Sequence, residues 1–373
     1  MKLNRLERSW VAYDWANSAY SIVITTAIFP LFYESITPHE IYVSTWGYAN
    51  SVASLLVAVL APVLGTIADY WGRKKKFFLV FFLLGVITTL GFVLVNEGQW
   101  LLALALYVGS VIGFSGANLF YDSFLVDVTT EERMDRVSAT GFGFGYIGSV
   151  VPFVAGIVLV MTAERIGITT MNATRAAFVI TGLWWFGFAI PLVKNVRQRY
   201  GIEPQEHPIR ESFLRLGRTL KHIRSYKPVF VFLLAYFFYI DGVDTIIRMA
   251  TPIARSMGIE SEMLLVVLLA IQLVAFPFAL LYGRLAGRFG AYRMIFVGIS
   301  VYVGVVLIAF FIPTIEDHNT RTVLFWVLSM MVASSQGGIQ ALSRSIYGKL
   351  IPKDKSAEFF GFYNIFGKFA AIM

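Results

Sequence analysis

The chain has 373 residues, 57% hydrophobic and only 14% charged, with a mean hydropathy of +0.68. Soluble domains carry about 25% charged residues, so this composition excludes an ordinary soluble protein and points to a chain built for lipid. The net charge is +8, and the absence of cysteine removes disulfides and thiolate metal sites.

A membrane-crossing helix needs about 20 mostly apolar residues. Candidate spans occupy 10–36, 44–69, 77–96, 100–127, 138–162, 173–194, 227–252, 262–284, 293–313 and 321–347, with an eleventh starting near Ala357. The first is too long for a signal-peptide core, so it reads as an uncleaved span. Lys and Arg gather in alternate connections, at 70–76, 128–137, 195–226, 284–293 and 348–356, whereas 35–45 and 97–100 have none. That is the positive-inside pattern rather than a nucleic-acid-binding face, and it puts the amino terminus, with Lys2, Arg5 and Arg8, on the cytoplasmic side of the cell (inner) membrane. Trp46, Trp100 and Trp326 fall at outer span ends and Trp10 and Trp71 at inner ends, as an aromatic belt requires.

The polar segment 195–226 divides the chain into 1–194 and 227–373. Within it Phe213, Leu216, Leu220 and Ile223 recur at helical spacing with Arg215, Arg218 and Lys221 between them. This fits a basic amphipathic helix on the inner membrane surface or a solvated linker helix.

Two sequence echoes share one offset of 218 positions. Gly65-Thr-Ile-Ala-Asp69-Tyr-Trp-Gly72-Arg73-Lys74 pairs with Gly283-Arg-Leu-Ala-Gly287-Arg-Phe-Gly290, and Ser138-Ala139 through Phe144 pairs with Ser356-Ala357 through Phe362. A constant offset implies a duplicated chain. The first half ends near Asn195, so the second is expected to end near position 413, about 40 residues beyond Met373. The expectation is ten complete spans, the start of an eleventh, and a second bundle that is truncated.

Six spans, a basic loop, more spans, and G-x-x-x-D-x-x-G-R-K between spans two and three resemble the major facilitator superfamily. The resemblance covers essentially the whole chain. It implies an all-α membrane protein of two pseudo-symmetric six-helix bundles around a central cavity. In the motif, Gly65 permits close helix approach, Asp69 sits at a helix end and Gly72 permits a tight turn. Arg73 is expected to pair with Asp127, and in the superfamily this cluster steadies the outward-facing state. In the second copy Gly287 replaces the acid.

A narrower resemblance rests on Tyr13-Asp14-Trp15-Ala16-Asn17-Ser18-Ala19-Tyr20, Phe120-Tyr121-Asp122-Ser123, Asp241-Gly242-Val243 and Glu358 through Tyr363 with Gly367-Lys368. These look like the vacuole-effluxer-like (autophagy-related) branch. Its fungal members export amino acids from the vacuole, and most of its bacterial members have no assigned substrate.

Charges inside a span are expensive and usually face a cavity with a partner. Asp14, Asp122, Asp241, Asp244, Arg248 and Lys368 therefore stand out as the expected substrate or ion pathway, with polar Asn17 and Gln340 beside them. Asn118, Tyr121, Gln272 and Gln336 fit cavity lining or helix-packing hydrogen bonds. Asp244 and Arg248, four apart, also fit an intrahelical pair. Asp14 also fits a brace at the inner gate, and Asp122 a member of the Asp127 cluster. Lys368, near mid-membrane, is expected to pair with Asp241 or to meet an anionic substrate group. The glycine run Gly141 to Gly148 lies inside a span and reads as close packing, not a phosphate loop. His39, His207, His222 and His318 are scattered, so no catalytic set, metal site or cofactor is expected, and the chain does not read as an enzyme.

The leading expectation is a monomeric secondary transporter that moves a small polar solute, with amino acids as one class, by alternating access and with proton coupling through Asp241 or Asp14. The rival expectation is a truncated, non-transporting membrane protein with a binding or regulatory role.

Overall fold

A computed structural model describes residues 2–203, 208–222, 226–256 and 258–370, apart from the side chains of some helical residues. Among these, ten helices are long and apolar enough to cross a membrane. They are span one, Arg5–Ile36; span two, His39–Ala68; span three, Lys74–Leu94; span four, Trp100–Val128; span five, Glu131–Thr162; span six, Thr170–Asn195; span seven, Lys227–Ile247; span eight, Met263–Phe289; span nine, Ala291–Phe311; and span ten, His318–Leu350. The helix of span seven continues to Ser256, and an eleventh helix, span eleven, covers Ser356–Ala370. The linker helix is Pro208–His222. No β-strand occurs among the described residues, and one isolated bridge joins Tyr70 to Ile202. The chain is an all-α, multi-pass membrane protein.

Several helices outrun their apolar stretches. Span five starts at Glu131 rather than 138, and span ten extends to Leu350 rather than 347. Hydropathy reads the thickness of lipid crossed, whereas backbone hydrogen bonding and caps set where a helix stops. Span one starts with a capping box, the Asn4 side chain accepting from the Glu7 N–H while Glu7 accepts from the Asn4 N–H. Asp317 caps span ten by accepting from the Thr320 N–H at 2.7 Å.

Buried apolar side chains form two clusters. One is built from residues between Trp10 and Val196 and includes Ala357 of span eleven; the other runs from Val229 to Phe362. The seam between them is where the repeat becomes geometry. A Cβ on Gly65 would lie 2.3 Å from the Ala357 carbonyl oxygen, and one on Gly283 would lie 2.5 Å from the Ala139 Cβ. Gly65 and Gly283 are 218 apart, and so are Ala139 and Ala357. A second mirrored pair follows: Gly361 meets Ala61 and Pro62, while Gly143 meets Phe276 and Leu280. Each echo therefore packs against the other half's copy of its partner echo, as a pseudo-two-fold axis demands. Gly72 and Gly290, at the same offset, have φ +72° and +90°, a conformation that glycine alone adopts without penalty.

The linker helix is amphipathic, but its faces are not divided as the heptad-like stripe predicted. Leu216 packs on the second cluster while Phe213 is exposed, and Arg215 turns inward. The side chain of Leu220, and Ile223 altogether, lie outside the described residues.

Candidate functional site

Between the two halves lies a cavity of about 710 Å³. Spans one, four and five supply Asp14, Asn17, Asn118, Tyr121, Asp122 and Tyr146; spans seven to ten supply Thr245, Gln272, Gln336, Gln340 and Arg344. Its wall includes a π-helical stretch of span one, Ser21–Ala27, from which Ser21, Ile22 and Thr26 face the space. Such wide turns recur at functional sites because they displace side chains from regular helical register. The hydroxyls of Thr25 and Thr26 both donate to the Ser21 carbonyl, at 2.5 and 3.0 Å.

Arg344 forms the floor. Its Nη2 donates to Asp14 Oδ2 at 3.0 Å and its Nη1 to Asp122 Oδ1 at 2.9 Å. Its Nε donates to the Ser138 hydroxyl at 2.9 Å, and Nη2 also reaches the Ser138 carbonyl at 3.1 Å. The guanidinium carbon lies over the rings of Trp10 and Phe142, 4.5 and 4.3 Å from their centroids. A buried cation survives only when paired and hydrogen-bonded, and the flat faces of Arg suit aromatic stacking. With both carboxylates ionised, the cluster carries a formal charge of −1. Gly141 makes room for it: a Cβ there would fall 2.3 Å from Asp14 Oδ2 and 3.2 Å from Arg344 Nη2. The glycine run serves two neighbours, with Gly141, Gly145 and Gly148 against span one and Gly143 against span eight.

Arg344 was missed in the sequence because it lies six residues from the end of span ten, beside basic Lys349 and Lys353, and so looks like one more charge of the basic side. Its one legible mark is Ser343-Arg344-Ser345 still inside the apolar period. Of the residues expected in the pathway, the cavity gathers Asp14, Asn17, Asp122 and Gln340, with Asn17 donating to Asn118 at 2.7 Å. Asp241 and Asp244 are half-buried on span seven and are not among its lining residues. The side chains of Arg248 and Lys368 lie outside the described residues, so the Lys368–Asp241 pairing does too.

The cavity is shut at one end, the gate end, by the motif region. Asp69 accepts from the Ala357 and Glu358 N–H groups, both at 2.9 Å, so the acid at the end of span two caps the start of span eleven. Gly287 has no counterpart role for a physical reason. Span five begins at Glu131, so the N–H groups at 139 and 140 are already inside a helix and offer no orphan donors. The expected Arg73–Asp127 pair is replaced. Arg73 precedes the helix and lies 5.5 Å over the Tyr70 ring, whereas Lys74, the first residue of span three, is fully buried against Asp127 Oδ2 at 2.7 Å. Its ammonium also donates to Ser356 Oγ at 2.8 Å and approaches the Ser123 carbonyl at 3.5 Å, using the three donors of a compact cation. Asp127 Oδ1 accepts from the Arg199 and Tyr200 N–H groups at 2.7 and 3.1 Å, which ties the linker to the latch.

Arg215 of the linker helix completes it. Its Nε donates to Glu358 Oε2 at 3.0 Å, Nη2 is 3.9 Å from Asp69, and the same group donates to the Thr66 carbonyl. No group of three or more metal-ligating side chains occurs among the described residues. At the other end the lining reaches Thr26 and Phe310, both exposed.

A family model described as "Vacuole effluxer Atg22 like" matches residues 39–131 and 126–373. The chain belongs to that family. It is 52% identical over 380 residues to YxiO, an uncharacterised MFS-type transporter of Bacillus subtilis (strain 168), across 100% of this chain and 87% of that one. It is 25% identical to autophagy-related protein 22 of Coccidioides immitis (strain RS) over 86% of this chain, and it spans 64% of that fungal protein's length. Among solved structures, the proton:xylose symporter XylE superposes with a TM-score of 0.69 at 10% identity, covering 98% of this chain and 85% of that one. At that identity the likeness shows the fold, which is that of the major facilitator superfamily. Family and fold both mark a membrane transporter.

Proposed function

We propose that the chain is an alternating-access secondary transporter of a small polar solute bearing an anionic group, with amino acids as the first class to test. The observation that carries this reading is Arg344, held between Asp14 and Asp122 at the floor of a cavity built by both halves. A solute carboxylate entering the cavity meets Arg344, the cation among the described lining residues, and it competes with Asp122, whose side chain is 21% exposed against 9% for Asp14. A carboxylate displaced from its cation gains protons more readily, which gives a route to proton coupling. Tyr121 and Tyr146 are the other titratable groups lining this part of the cavity. An ammonium group on the solute would complement the acid left behind. With the gate end on the cytoplasmic face of the cell membrane, as the basic connections imply, the state described is the outward-open one.

Counterflow in proteoliposomes, run against an amino-acid panel with and without a pH gradient, tests this. Uptake of one or more amino acids that is lost in Arg344→Gln is expected. Failure of every amino acid removes that substrate class, and uptake indifferent to Arg344 removes the site.

A further inference from the structure

The linker helix has two unlike faces. Inward, Ser212 and Thr219 are buried, Leu216 packs on the second cluster, and Arg215 joins Asp69 of the first half to Glu358 of the second. Outward, Phe213 and Leu214 are 54% and 49% exposed, set among exposed Arg210, Arg218 and Lys221. At about 100° per residue, Arg210, Leu214, Arg218 and Lys221 share one arc with Phe213 at its edge. The one acid of the helix, Glu211, lies beside that arc, 3.8 Å from Arg218. Two large apolar side chains among three cations are costly in water and complement an anionic lipid interface: headgroup phosphates take the cations and the apolar pair enters the acyl boundary.

We propose that anionic phospholipid binds the outer face of the linker helix and, through Arg215 on the inner face, stabilises the state closed at the gate end. The docking half stands on the helix alone. The coupling half rests on the alternating-access reading above.

The chain has no cysteine, so single probe sites can be added to it without other changes. In nanodiscs of phosphatidylcholine, with or without phosphatidylglycerol, a fluorophore on Leu214→Cys reads docking through quenching by acyl-chain nitroxide lipid. Quenching is expected to rise several-fold with phosphatidylglycerol, and the lipid response to weaken about fivefold for each cation removed among Arg210→Gln, Arg218→Gln and Lys221→Gln. Spin labels on Lys76→Cys and Asp354→Cys read the gate. Phosphatidylglycerol should enlarge the short-distance population several-fold, and Arg215→Gln should abolish that shift while leaving the quenching intact. Quenching equal in the two lipids, or untouched by the triple substitution, overturns the lipid site. A response to soluble polyglutamate in phosphatidylcholine alone, with none to phosphatidylglycerol, overturns it in favour of an acidic protein partner. Docking without any gate shift overturns the coupling. A gate distance that stays fixed even in Gly65→Val strikes the alternating-access reading and leaves docking standing.

Discussion

Gly65 lies against Ala357 so closely that any side chain at 65 would overlap the backbone of span eleven, and Gly283 repeats the relationship with Ala139 across the molecule. The first contact carries an acid that caps the facing helix and the second does not, because only span eleven begins at the seam with unbonded N–H groups for an acid to cap; the second is held instead by the Lys349–Asp135 and Lys353–Glu131 pairs at 2.6 and 2.9 Å. The duplicated architecture is thus symmetric in packing and asymmetric in latching.

Gly65→Val should open the gate end. Overpacking of this kind costs roughly 1–3 kcal/mol, enough to deplete the closed population about tenfold. Distance measurements between Lys76→Cys and Asp354→Cys read this, and an unchanged distribution would count against the alternating-access reading.

Lys74 and Arg73 should behave unlike each other despite being adjacent. Lys74→Met leaves Asp127 buried beside two backbone donors with no cation, a loss of about 3–5 kcal/mol in the closed state. Arg73→Met should change stability by less than about 1 kcal/mol. Thermal unfolding in detergent distinguishes them, and equal losses would mean that Arg73 shares the load.

Asp69→Ala removes the cap of span eleven and one partner of Arg215, and should cost about 1–2 kcal/mol of closed-state stability. Asp69→Asn, which keeps an acceptor, should recover part of it. Hydrogen exchange at the Ala357 and Glu358 amides is the direct measurement: protection retained in the alanine variant would contradict the capping role.

At the cavity floor, Arg344→Lys should fail to rescue Arg344→Gln. An ammonium lacks the planar fork that holds two carboxylates in fixed orientation while lying over the rings of Trp10 and Phe142. Counterflow should fall by at least about tenfold in both variants, and a lysine variant with full activity would reduce the role of Arg344 to charge alone.

Span count, basic connections, the offset of 218 and Gly72's turn were all legible in the sequence, because lipid thickness, charge retention and glycine's backbone freedom each act locally. Asp14 and Asp122 were legible as charges too costly to be idle. Their shared partner was not. Arg344 is 330 positions from Asp14 and 222 from Asp122, and which cation meets which acid depends on how helices from two halves face each other. The same holds for Lys74 in place of Arg73: one residue's rotation past a glycine turn decides which side chain is buried, and hydropathy carries no such angle. For this chain the sequence by itself determined membrane and repeat, since these follow from composition and periodicity, and its motifs carried the resemblance to a family. Only the tertiary structure decided the Arg344 cluster, the Lys74–Asp127 pair and the Arg215 bridge, since each is a contact between segments whose order along the chain says nothing about their angle in space.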